Sequence, residues 1–143
     1  MPRPDAALLD PARYPFSCGI ETRFSDLDLN RHINNVALVG MLEEARVRFH
    51  RHAGRSAGTE GTTYMVASVA IEYLGQSFFP DPLTMHVAPG RLGKSSYDLH
   101  QLASQGGRIV AYAMTVMVNM GKEGPRALSP AFREGMQPWM MAP

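Results

Sequence analysis

The chain has 143 residues, the usual size of one compact domain. Its 14 basic and 13 acidic side chains leave a net charge of +1, and with no Lys/Arg run there is no electrostatic footprint for nucleic acid. Hydrophobic residues make up 45% and charged residues 19%, which suits a single core and excludes a disordered polyelectrolyte.

The single cysteine, Cys18, excludes an intrachain disulfide framework and a cysteine-based zinc cluster. The opening Met-Pro-Arg-Pro-Asp carries no apolar signal core, and no apolar run approaches membrane-spanning length. The expectation is a soluble, cytoplasmic protein without membrane insertion.

Residues 1–15 hold four prolines and little periodicity, and read as an irregular lead-in. From Phe16 the sequence alternates, with Phe16, Cys18, Ile20, Thr22 and Phe24 on one side, as in a half-buried strand. The segment Asp26-Leu-Asp-Leu-Asn-Arg-His-Ile-Asn-Asn35 follows, rich in residues that make turns and helix caps. Leu38, Leu42, Ala45 and Phe49 then fall on one helical face, predicting a helix over about 34–52 that Gly54 stops. Glu44 and Arg48 are spaced for a surface pair; Glu43 and Arg46, one turn apart, read as a structural ion pair, with Glu43 as a second catalytic carboxylate the alternative, although it points away from the Leu38/Leu42/Phe49 stripe. Val36, Val39 and Val47 lie off the apolar face, as ordinary exposure or as a subunit contact.

Residues 53–62, rich in Gly, Ser and Thr, read as a loop. Four strand-like runs come next, roughly 64–74, 83–88, 95–103 and 108–120. Gln105-Gly-Gly107 is a plausible hairpin turn between the last two. The last run is apolar on both faces and belongs inside a sheet. From Lys122 the chain is rich in Gly and Pro, and reads as a frayed tail. One helix can cover one face of such a sheet. The other face must then stay polar or be buried by a second copy.

The chemistry concentrates before the helix. Asp28 lies about one turn upstream of the free amides at the helix start, where the dipole favours anions. A thioester carbonyl placed there gains oxyanion stabilisation, and Asp28 can attack it or activate water. Asn30 and His32 can orient that water or bond the carbonyl. Asn34 and Asn35 suit helix entry. Simple turn and cap chemistry is the competing reading for all of these residues. Cys18 reads as a packed strand residue. His50 and His52, at the helix end, suit its terminal carbonyls better than a metal. His86 and His100 stand alone. Arg91, Lys94, Ser95 and Ser96 form a polar turn that can meet a phosphate, or simply face solvent.

Taken together, Arg23-Phe-Ser-Asp-Leu-Asp28, Asn30-Arg-His-Ile-Asn-Asn35 and Glu43-Glu-Ala-Arg46 resemble the hot-dog-fold acyl thioesterases. The nearest groups are the 4-hydroxybenzoyl-CoA thioesterase-like and acyl-ACP thioesterase-like proteins. Ile71-Glu-Tyr-Leu74, Phe79-Pro-Asp81 with Leu83, and Leu92-Gly-Lys-Ser-Ser96 continue the resemblance over about residues 16–120.

The resemblance implies an α+β hot-dog fold, one long central helix wrapped by an antiparallel sheet of about five strands. It sets the domain at 16–121, with a lead-in over 1–15 and an extension over 122–143. It implies a homodimer or homotetramer with sites at the subunit interface. It gives Asp28 the role of catalytic carboxylate, Asn30 and His32 those of the Asn-x-His pair, and the amide near Asn35 that of oxyanion donor. Ser96 matches a polar strand position that a partner subunit often offers. Asn34, Leu38, Arg91, Lys94 and Ser95 join it as expected substrate contacts.

Two positions depart from the pattern: Arg31 stands where the acyl-CoA branch commonly has glycine, and Leu38 where a tyrosine is common. Hydration of enoyl thioesters, a sister chemistry, needs an Asp five residues before the His with Asn-Pro between. Leu27 occupies that place, and no proline follows Asn30. The implied activity is hydrolysis of an acyl-CoA or acyl-ACP thioester, with no metal or other cofactor. The rival readings are a non-catalytic acyl-thioester-binding hot-dog domain and a purely structural oligomerisation domain.

Overall fold

The computed structural model describes residues 3–54 and 63–143. The loop read over 53–62 therefore falls outside the described residues from position 55 onward. Helix α1 spans Asn35–His52. It begins where the Asn34 side-chain oxygen accepts the Ala37 amide at 2.7 Å, and it stops before Gly54, whose φ of +78° suits a residue without Cβ. Leu38, Leu42, Ala45 and Phe49 are buried, as their spacing predicts, and Met41, Arg46 and His50 are buried with them.

The sheet contains β1 (Phe16–Ile20), β2 (Thr63–Tyr73), β3 (Leu83–Leu92), β4 (Ser96–Gln105) and β5 (Arg108–Gly121). The spatial order is β1-β3-β4-β5-β2 with every pairing antiparallel, and a two-residue β6 (Gly124–Pro125) on β5. Gly106 and Gly107, at φ +57° and +80°, make the β4–β5 turn, a conformation that matches the twist of the flanking strands. One long helix held against a curled antiparallel sheet is the α+β hot-dog arrangement. Its core joins α1 to Leu83, Met85 and Val87 of β3, Tyr97 and Leu99 of β4, and Ala111, Ala113 and Met117 of β5.

Several expectations fail for reasons of distance along the chain. The alternation of β1 ends at Ile20, and Phe24, in a short 3-10 turn, is 76% exposed. The C-terminal segment is built into the core. Helix α2 (Pro130–Met136) starts at a Ser129 cap, Met136 is fully buried, and Trp139 packs edge-on to Phe16 and Phe49. On the outer face of the sheet, a patch on β3, β4 and β5 is covered by the chain's own ends, while β2 stays exposed. Leu8, Leu9 and Tyr14 from the lead-in and Met141 from the tail pack there against Ala88, Leu102 and Tyr112. Arg13 and Ala142 fasten the two ends together through backbone and guanidinium hydrogen bonds of 2.8 and 2.7 Å.

The Glu44–Arg48 pair forms. Glu43 and Arg46 form no salt bridge: Arg46 turns inward, is buried, and donates to Gln101 Oε1 at 3.1 Å. Gln101 in turn donates to the Leu42 carbonyl, so the guanidinium is held by a carboxamide and not by a carboxylate. Burial lowers the pKa of Arg46 from its ordinary value.

His50 is fully buried between the Arg46 carbonyl and the Tyr97 hydroxyl, both 2.8 Å away, and stacks on Tyr64. Burial pushes its pKa down to about 4. Between that value and the ordinary 6.5, the unfolded chain binds a proton that the folded chain refuses, so stability rises with pH across this window. Acidifying from pH 6.5 to 4 should remove on the order of 3 kcal/mol through this group. Chemical denaturation across that range should give a flatter pH profile for His50→Gln than for the wild type.

Candidate active site

The segment between β1 and α1 is tied by two aspartates with separate tasks. Asp26 is buried, at 2% exposure. Its carboxylate accepts the Arg23 amide at 2.8 Å and the Arg23 guanidinium at 3.1 Å. Its carbonyl accepts both the backbone and side-chain N–H groups of Asn34, at 2.8 and 2.7 Å. Asn34 thus ties the loop to the first helical turn while capping it. Asp26 shapes the turn, as the sequence suggests.

Asp28 is exposed and sits in the tip closed by the Leu27–Ile33 bridge. Its Oδ1 accepts the amides of Asn30 at 2.9 Å and His32 at 3.3 Å. Its backbone exchanges bonds with the His32 carbonyl and the Arg31 amide, each at 3.0 Å. The rival turn chemistry is therefore present, and it occupies one carboxylate oxygen. Oδ2 has no protein partner among the described residues. The amides of Asn35 and Val36 likewise have no protein acceptor there, because the cap takes the Ala37 amide. A free carboxylate oxygen and two free helix-start amides belong to the same short loop.

His32 is half-buried, with its ring edge-on to Phe78 at 5.3 Å. The Ile33 amide donates to the Ser77 carbonyl at 2.8 Å, and Gln105 clamps Phe78 through both its amide and its carbonyl. These bonds fix the loop to the Gln105 end of β4. Sequence reasoning misses Ser77, Phe78 and Gln105, since no local motif marks residues that act only by holding a distant loop. Asn30 and Asn35 are exposed, Asn30 bonded through its amide to Asp28. Leu38 is 4% exposed and packs in the core, so it lines no open surface.

Arg91, Lys94, Ser95 and Ser96 lie at the opposite end of the sheet, Arg91 near the end of β3, Ser96 at the start of β4, and Lys94 and Ser95 in the turn between them. Ser96 and Gln105 are nine residue steps apart along β4, about 30 Å of strand. Arg91 is paired with Asp98 at 3.2 Å and bonds Ser96 Oγ at 3.3 Å. Within one protomer this cluster does not meet Asp28. Among the described residues no group of three His, Cys, Asp or Glu side chains is placed to hold a metal ion. No described helix is long and apolar enough to cross a membrane.

Residues 22–140 match the thioesterase-like superfamily. The chain belongs to that family. An uncharacterized protein, YsmA, of Bacillus subtilis (strain 168) is 30% identical over 117 residues, covering 81% of this chain and 80% of that protein. A thioesterase from Thermus thermophilus, solved with coenzyme A and Zn, is 26% identical with a TM-score of 0.78, covering 87% of this chain and 94% of that one. A Pseudomonas aeruginosa protein superposes with a TM-score of 0.82 at 22% identity, over 93% and 97% of the two chains, a likeness of fold. Family membership and the Thermus protein support thioester hydrolysis as the class of chemistry.

Arg31 carries one further mark of the loop. Its φ is +63°, a left-handed conformation that costs a residue with Cβ roughly 1–2 kcal/mol. This is the position where the resembling family commonly has glycine. Glycine would relieve the strain but gain freedom in the unfolded chain, worth about 0.4–1 kcal/mol. Arg31→Gly should therefore raise unfolding free energy by roughly 0.5 kcal/mol in urea titrations.

Proposed function

We propose that the protein hydrolyses acyl thioesters of coenzyme A or acyl carrier protein to a free acid and the thiol carrier. The observation that carries this reading is the division of labour on Asp28: Oδ1 is fixed by two amides, Oδ2 has no partner among the described residues, and the same loop runs into the start of α1, where the Asn35 and Val36 amides have no acceptor among them. The thioester carbonyl oxygen sits at the Asn35 and Val36 amides, which gain strength as hydrogen-bond donors when the oxygen takes on charge. Asp28 Oδ2 accepts the proton of an attacking water, or attacks the carbonyl carbon and is then released by water. In both routes the C–S bond breaks, the thiolate leaves and is protonated, and the acid keeps the oxygen added from water. Asn30 and His32 position the water.

Two copies complete the site in this proposal. Strand β2 ends the order of the sheet with no further strand beyond it among the described residues, and Met65, Val66, Val69 and Tyr73 along it are 39–49% exposed. The Tyr73 end of β2 lies at the Asp28 end of the sheet and the Thr63 end at the Ser96 end, as the shared register with β5 requires. Antiparallel pairing of two β2 edges about a two-fold axis sets the Arg91–Ser96 turn of one copy at the Asp28 end of the other. The phosphates of a carrier would meet Lys94 and its neighbours there. The patch of the outer face closed by the chain's own termini is left out of this contact.

Asp28→Asn keeps an oxygen for the two turn amides and removes only the base. It should fold normally and lose about 10²–10⁴-fold in kcat on any acyl-CoA that the wild type turns over. A folded mutant with wild-type rates would sink the assignment, and unchanged tight binding without turnover in both proteins would favour the binding domain. Val66→Lys with Val69→Lys should shift the protein to monomer in light scattering and reduce activity with it.

A further inference from the structure

From Gly93 to Ser96 every backbone carbonyl of the β3–β4 turn has a donor, and the first two take theirs from the C-terminal segment. Arg133 of α2 donates to the Gly93 carbonyl at 2.6 Å and lies 3.5 Å from that of Lys94. The Leu128 amide donates to the Lys94 carbonyl at 2.8 Å. The Asn119 amide of β5 donates to the Ser95 carbonyl at 2.8 Å, and the Gly93 amide closes the turn on the Ser96 carbonyl at 2.7 Å. Leu128 is itself buried in the core, which anchors the segment that makes these bonds.

The charges at this turn are unevenly compensated. Gly93 leaves room for the Arg91 guanidinium, whose Nη1 would lie 2.3 Å from a Cβ added there. In that place Arg91 bonds Asp98 through two nitrogens and is neutralised by it. Lys94 is exposed, and its ammonium has no partner among the described residues. Arg133 rests on carbonyls and not on a carboxylate. Arg126 follows β6 beside Asn119, donating its amide to the Asn119 carbonyl at 2.8 Å and accepting from Asn119 Nδ2 at 3.0 Å. Lys94, Arg126 and Arg133 form no salt bridge among the described residues. Glu123 and Glu134, exposed in the same segment, pair with none of them.

We infer that the C-terminal segment is part of the carrier site, with Arg133 as a positioning residue that shapes the phosphate-binding turn and Arg126 as a further cation beside Lys94. The inference rests on the proposed hydrolysis and on the pairing of two copies, which brings this turn to the partner's Asp28 loop. The ligand chemistry is a phosphoester, present in coenzyme A and in the arm of an acyl carrier protein. A carbonyl oxygen facing a phosphate repels it. With Arg133 and Leu128 in place, the Gly93 and Lys94 carbonyls are engaged, and the Lys94 ammonium is the charge the turn has left to offer. Without them the same two oxygens would be open to the anion. Arg133 also keeps its own positive charge within the turn, since carbonyls do not cancel it.

The test compares one acyl group on CoA and on N-acetylcysteamine, which carries no phosphate, for wild type, Arg133→Met, Arg133→Lys and Arg126→Ala. The ratio of kcat/KM on the CoA ester to that on the N-acetylcysteamine ester should fall about tenfold for Arg133→Met and severalfold for Arg126→Ala, through KM and not kcat. Arg133→Lys, which keeps a charged donor for the carbonyls, should recover most of that ratio. A merely structural role lowers both esters alike, so an equal loss on both, or an unchanged ratio, overturns the inference. If Arg133→Met does not fold, the exposed Arg126→Ala decides by the same ratio. The ester of acyl carrier protein separates the two sources. A loss shared by it and the CoA ester assigns the phosphoester of the pantetheine arm, and a loss confined to the CoA ester assigns the phosphates of the nucleotide; both uphold the inference. Where the wild type hydrolyses no thioester, binding of a non-hydrolysable acyl thioether of CoA is the readout. Weaker binding to Arg133→Met, by about tenfold, then upholds the site, and equal binding or none overturns it.

Discussion

A single carboxamide links the chemistry to the scaffold. Asn34 donates its backbone and side-chain N–H groups to the Asp26 carbonyl and accepts the Ala37 amide on its side-chain oxygen. The first bonds fix the direction in which the loop enters α1. The last satisfies one orphan amide of the helix and leaves those of Asn35 and Val36 open. An aspartate in this place could cap the helix, but its side chain could not donate to the Asp26 carbonyl, and a serine side chain is too short to do both. With the Ile33–Ser77 bond and the Leu27–Ile33 bridge, this side chain sets the position of the loop that carries Asp28.

The rest of the molecule holds that junction by closing the surfaces around it. The lead-in and the tail cover a patch on the outer face of the sheet and are fastened to each other through Arg13 and Ala142. Helix α2 and Trp139 close the edge of the core beside Phe16 and Phe49. Gln105 pins Phe78 and so supports His32 from below. None of these covers reaches Val36, Val39 and Val47 on α1 or the exposed side chains along β2. An unpaired sheet edge with exposed valines is a template for pairing with another chain. Here it lies where a second copy would also bring polar residues to the loop.

Local pattern made most of the framework legible. The Leu38/Leu42/Ala45/Phe49 spacing and the Asn34 cap located α1, and the alternating runs located all five long strands to within a few residues. What local pattern missed depends on contacts far apart in sequence. Nothing near Met136 or Trp139 signals that they reach a core begun at Phe16. Glu43 and Arg46 have ion-pair spacing, yet Arg46 is drawn inward by Gln101, which lies 55 residues away.

Cap and catalyst exclude each other for Asp28 only while its sequence is read alone; the geometry makes the two compatible. A carboxylate has two oxygens and about four lone-pair sites. The Asn30 and His32 amides need only one oxygen to set the turn. In the proposed mechanism, holding that oxygen restrains the side chain, so that the second is presented in one direction before the reaction begins. A carboxylate with no such tether would have to be ordered by the substrate itself. The turn bonds that argue for a structural aspartate are therefore the preorganisation that a catalytic one requires, and Asp26, with both oxygens committed to Arg23 and 2% exposure, has no oxygen left to offer.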